Sequence, residues 1–157
     1  MGLLPLFEWL GQSPVGIFMR QSTYAFPVAE MIHLLSLAIL GGVILLIDLR
    51  ALGLGLAGQT PGGLAEQLRP LLVGSLVVSV VSGVLLLSDE AIKCYYNPAF
   101  RAKMLFLALA VVFYFAVQDR FFLVERGGGS VAAKCAGVVS LLLWLSVGLA
   151  GRAIGLI

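Results

Sequence analysis

Charge is what this chain has least of. Lys, Arg, Asp and Glu together make up 11% of its 157 residues, against roughly 25% in soluble domains. Hydrophobic residues reach 61%. So few charges cannot cover so much apolar surface in water, which excludes a soluble domain of this size. A net charge of +2, spread along the chain without a basic stripe, excludes a nucleic-acid surface. Cysteine is scarce as well. Cys94 and Cys135 make no disulfide framework, and no CxxC or Cys/His cluster is present to hold zinc. Histidine occurs once, as His33, so one chain cannot build a bis-histidine site. Nor can a Ser/His/Asp or Cys/His nucleophile set be assembled, which leaves catalytic residues unassigned and enzymatic activity undecided. The first ten residues lack Lys and Arg, carry Glu8 and are broken by Pro5, unlike a signal peptide. The expectation is an uncleaved multi-pass protein of the bacterial inner membrane, with the lipid bilayer as its main partner.

What the chain has in abundance is long apolar runs. A helical span needs about 20 mostly apolar residues, and four stretches qualify, at about 24–47, 70–87, 98–118 and 131–150. Backbone groups in lipid must be satisfied internally, so these runs predict helices; runs such as Leu34–Leu40 lack the alternation of a barrel strand. The fold class predicted is all-α, a single integral membrane four-helix bundle spanning residues 1–157, with a short N-terminal interfacial helix around Leu3–Leu10 and Trp9 at headgroup level. Gly58–Gly63 and Gly127–Gly129 read as flexible linkers, because no phosphate-loop Lys-Ser or Lys-Thr follows either. Small residues predict close helix packing at Ala38, Gly41 and Gly42, at Ser79, Ser82 and Gly83, and at Ala133 and Gly137. Arg20, Lys93, Arg101, Lys103 and Arg152 fall on one side, and Arg50, Arg69, Arg120, Arg126 and Lys134 on the other. That balance gives no orientation. Cys94 and Cys135 fall at opposite faces, too far apart to bridge.

Function in such a chain is sought where polarity survives inside the apolar spans. Glu30 and His33, three residues apart, share a face of the first span. Asn97 caps the third span with Pro98 at its first position, and Lys103 follows five residues in. Both helices start at the same face, so Glu30, His33 and Lys103 come to similar depth, with Arg101 nearby. Three readings stay open. Glu30 pairs with Lys103 or Arg101 and only fixes the packing; His33 ligates a haem, with Lys103 or a methionine opposite; or Glu30 and His33 line a proton or metal-ion pathway. A dedicated metal site is not predicted, since Met19, Met31 and Met104 are scattered. Asp48 and Arg50 read as a solvated ion pair closing the first span, and Asp119–Arg120 as the same for the third. Gln118 reads first as a snorkelling end residue, with a polar contact within the bundle as the alternative. Phe113, Tyr114, Phe115, Phe121 and Phe122 read as lipid contacts and an aromatic belt.

The segment Glu30-Met-Ile-His33-Leu-Leu-Ser-Leu-Ala-Ile-Leu-Gly-Gly42, with Asn97-Pro-Ala-Phe-Arg-Ala-Lys103-Met-Leu-Phe-Leu-Ala-Leu109, resembles an uncharacterised family of small bacterial four-helix membrane proteins, a domain of unknown function. Trp9, Arg20, Pro27 and Asp48-Leu-Arg50 fit that pattern, so the resemblance covers most of the chain. More distantly, the layout is similar to the CopD copper-resistance proteins and the HemJ-type protoporphyrinogen oxidases. Those place a histidine in an early helix and a lysine at the start of a later one. In the HemJ type these two serve a b-type haem, and by position they correspond to His33 and Lys103. The chain lacks the Pro-Arg ending of the first helix and the further histidines of the oxidases, so the resemblance reaches haem b binding and not porphyrinogen oxidation. Membrane redox chemistry is the working expectation; a non-catalytic subunit or scaffold is the alternative, and ion transport the third. A homo-oligomer or a membrane protein partner fits any of them.

Overall fold

The computed structural model describes residues 3–55, 58–118 and 130–154. These form helices α1 (Leu4–Gln12), α2 (Pro14–Gln21), α3 (Ala25–Ala51), α4 (Pro61–Asp89), α5 (Ala91–Tyr96), α6 (Pro98–Phe113) and α7 (Val131–Ile154), with α6 running on into a wide π-helical turn, Tyr114–Gln118. Four of them, α3, α4, α6 with its π turn, and α7, are long and apolar enough to cross a membrane. Asp119–Arg120, Phe121, Phe122 and Gly127–Gly129 lie outside the described residues.

Local signals explain the helix ends. Ser13 caps α2, its hydroxyl accepting from Gly16 N, and Pro14 takes the first position. Asn97 does the same for α6, accepting from Ala99 and Phe100. α3 stops at Gly53, whose φ of 85° suits only glycine well. There Gly53 N bonds Arg50 O and Leu54 N bonds Leu49 O, the paired closure of a Schellman ending. α4 begins nine residues before Pro70, not at it. Thr60 caps it through Gly63 N, with Pro61 next, so part of the expected Gly58–Gly63 linker is a helix start. Pro70 sits inside α4, exposed.

The expected single interfacial helix is two. α1 packs on α5, and α2 on the C-terminal part of α4. Arg20 fastens them: its Nη1 donates to Ser88 O and Asp89 O at 3.2 and 3.1 Å, and its Nη2 to Gly11 O. Those carbonyls end α4 and α1, where helices leave C=O groups unmade. Phe7 meets Tyr95 and Phe100 edge-on, at 5.3 and 6.1 Å between centroids.

The long helices pack in the order α4–α3–α7–α6, and α4 and α6 share no packed interface. Burial decides the shape. The core gathers Leu40, Ile44 and Ile47 of α3, Leu64 and Leu72 of α4, and Tyr114. On α7 it falls at Ala133, Ala136, Gly137 and Ser140, with Val147 alone beyond. The helices therefore close around the end where α3 finishes and α7 starts. At the end where α3 and α6 begin, which holds His33 and Lys103, α3 packs on α4 and α6 on α7, with less buried between the two pairs.

Candidate functional site

At the open end, His33 sits eight residues into α3, roughly 12 Å along the axis. Its Nδ1 is 3.0 Å from Ser82 Oγ of α4, and its ring lies over Gly83, where a Cβ would stand 3.3 Å from Cε1. Ser82 donates its one hydroxyl proton to Val78 O at 2.6 Å. It must then accept from His33 Nδ1–H, which leaves the lone pair of the imidazole on Nε2. No hydrogen bond of ordinary geometry reaches that nitrogen among the described residues, although the ring also comes within reach of the Ser79 carbonyl. Below it Ser36 donates to His33 O and meets Ser79 Oγ, both at 2.8 Å. Ser75, Ser79 and Ser82 thus form a polar seam along α4, buried against α3.

Lys103 is half-buried on α6 and lies within electrostatic range of His33. Its stem runs over Gly151 of α7, where a Cβ would stand 3.5 Å from both Cε and Nζ. The ammonium makes no hydrogen bond or ion pair among the described residues, and neither does Glu30, which is exposed. Lys103 therefore lies within electrostatic range of His33 but packs on α7, not on α3, and Glu30 is not paired with it. Arg101 points elsewhere, its guanidinium 5.4 Å from the centre of the Tyr95 ring. Ser82 was legible only as a small packing residue; its spacing from Ser75 and Ser79, on one face of α4, was the signal that it meets α3.

The closed end corrects two expectations. Asp48 is not in a solvated ion pair with Arg50. Residues two apart on a helix point about 200° apart, and only Asp48 turns inward, where it is fully buried. Arg50 turns out to the following loop, donating to Gln59 O and Gly55 O. Gln118 does not snorkel either. The π turn brings it inside, fully buried, and its Nε2 donates to Asp48 Oδ1. Wide turns of this kind often mark functional positions. Tyr114 and Phe115, expected at lipid, instead pack in or against the core. The missed signal was position: Asp48 continues the buried Leu40–Ile44–Ile47–Ala51 face of α3.

The packing glycines divide. A Cβ on Gly137 would meet Asp48 O at 3.2 Å, so α7 does approach α3 closely there, with Ala133 buried beside it. Gly41 and Gly42 face open space, with Ala38 exposed on the same side; the core lies on the other face of α3. Cys94 and Cys135 are free thiols. Burial, and then Glu90 close by, push the Cys94 thiol up, which keeps it protonated and a poor nucleophile at neutral pH. No group of three His, Cys, Asp or Glu side chains able to hold a metal occurs among the described residues.

Residues 6–157 match the model of a family of unknown function, DUF6644. The chain belongs to this family. The DUF6644 match spans all four long helices and both polar ends described above. No curated protein and no solved structure matches the chain.

Proposed function

We propose that this member of the DUF6644 family is a multi-pass protein of the bacterial inner membrane, in which His33, at the open end of the helices, would hold a b-type haem. One observation carries the reading: Ser82 fixes the His33 tautomer and leaves Nε2 bare. A histidine that ligates a metal through one nitrogen while the other donates to a fixed acceptor is the usual ligand arrangement. Lys103 is the second candidate, and would have to bind as the neutral amine; it lies within electrostatic range of His33, and its nitrogen makes no hydrogen bond or ion pair among the described residues. Bound there, a haem supplies one-electron exchange. The protein's own part is to hold the imidazole plane against Gly83 and to keep its outer nitrogen free. Membrane embedding is supported by the four long apolar helices. Leu6, Trp9 and Phe18, exposed on α1 and α2, suit helices lying at the headgroup boundary.

The test is haem content after purification in mild detergent and reconstitution with haemin. Near-stoichiometric haem is expected in the natural chain and none in His33→Ala. Ser82→Ala should weaken binding by roughly 10–100-fold, the usual cost of removing a ligand's hydrogen-bond partner. A chain that stays colourless after reconstitution sinks the reading.

A second reading, a subunit of a larger assembly, is favoured by Glu30. Glu30 lies five residues into α3 on its exposed side, and a carboxylate inside an apolar span carries a cost, up to about 2.5–3.5 kcal/mol at the bilayer centre, unless something meets it. On this reading a second copy or another membrane protein does so. Native mass spectrometry from the membrane should show a complex that Glu30→Arg disrupts; a monomer in both forms contradicts it.

A further inference from the structure

The closed end holds a second polar group that the haem reading does not use. Asp48, Gln118 and Ser140 come from α3, the π turn and α7, and each is 0% exposed. Gln118 Nε2 donates to one carboxyl oxygen of Asp48, and Ser140 Oγ lies beside the carboxyl. The Ser140 hydroxyl is within donating reach of the carboxyl, yet Asp48 Oδ2, Gln118 Oε1 and Ser140 Oγ make no hydrogen bond of ordinary geometry among the described residues. Buried polar atoms are seldom left so, and three orphans on touching side chains ask for one explanation. Arg50, the nearest cation in sequence, is turned out to the loop.

We infer that Asp48, Gln118 and Ser140 form a binding site for one monovalent cation, sodium, set between α3, α7 and the π turn. Every orphan is a hard oxygen donor, the kind that alkali and alkaline-earth ions take and soft metals do not. The charge selects among these ions. The cluster contains one carboxylate, so a monovalent ion leaves it neutral, whereas a divalent ion leaves a net positive charge in an apolar interior. A proton on Oδ2 also neutralises Asp48, and it satisfies Ser140 as well. It leaves Gln118 Oε1 orphaned, while a sodium ion can take all three oxygens. Oxygen-lined ion sites at irregular helical turns inside apolar bundles follow the same physics, since only there are backbone and side-chain oxygens free to ligate. The site is separate from His33 and Lys103, which lie at the other end of the long helices.

The experiment is thermal unfolding of the full chain in detergent micelles, followed by Trp fluorescence. Sodium chloride is titrated against N-methylglucamine chloride at constant ionic strength and pH. The melting temperature should rise with sodium and saturate, because an ion that binds the folded state stabilises it by mass action. Asp48→Asn should remove the rise. Ser140→Ala should keep it but move the half-saturating concentration up about tenfold, or about 1.4 kcal/mol. If Asp48→Asn fails to fold, Ser140→Ala decides alone, and an unchanged midpoint overturns the site. Melting that is indifferent to sodium at every concentration also overturns it; if that melting rises on acidification, the ligand is a proton instead.

Discussion

Gly16 is the most tightly surrounded glycine among the described residues. A Cβ there would stand 2.7 Å from Gly11 O, 2.8 Å from Ser88 O and 2.9 Å from Leu10 O. All three are backbone atoms and cannot swing aside. Gly16→Ala is therefore expected to cost about 1–3 kcal/mol, the usual range for overpacking, read as a lower melting temperature in micelles. Gly41→Ala is the control: its Cβ meets nothing, and alanine is the better helix former by up to about 1 kcal/mol. It should be neutral or stabilising. At Cys94 the raised thiol predicts slow alkylation at pH 7.5 that speeds up only as pH climbs past the ordinary thiol range, because thiolate is the reactive form. Stopped-flow labelling of a Cys135→Ser chain measures it. At this scale the sequence shows which polar residues lie within apolar runs, and so names His33 and Lys103. It does not show which way a residue near a helix end turns. Asp48 and Gln118 were misjudged for that reason: an end residue in an apolar run reads equally well as solvated or buried until the neighbouring helix is placed.

Among the elements, the joint between the N-terminal helices and α4 rests on one side chain. Arg20 donates to three carbonyls on two helix ends, a planar fork that lysine cannot reproduce. Arg20→Ala is expected to lower stability by about 1–2 kcal/mol, within the range for hydrogen bonds from a charged group partly open to solvent. Arg20→Lys should recover only part of that, and proteolysis between α2 and α3 should rise in both variants. The existence of the four long helices was plain from the apolar runs, because about twenty mostly apolar residues leave few alternatives. Their ends were less plain. The second span was expected from Pro70, where the apolar run begins, yet the actual helix start is marked by Thr60 and Pro61 inside a glycine-rich stretch. The π turn of α6 has no local signature in Tyr114–Gln118.

For the whole molecule, the packing order α4–α3–α7–α6 gives two unlike ends. One end is closed over a dense apolar core and the Asp48 cluster. The other is spread, with His33 and Lys103 half-buried and Glu30 exposed. That division was not legible from composition, which makes all four helices look alike. It follows from where the small residues fall, since Ala133, Ala136 and Gly137 bring α7 against α3 only at the closed end. The central claim is that the spread end presents a ligating imidazole. The most direct measurement is the reduced-minus-oxidised visible spectrum of the chain purified from haem-replete membranes. The account predicts b-type bands in the natural protein that vanish in a His33→Ala chain which still inserts. Bands that survive His33→Ala, or their absence from the natural protein, would contradict it.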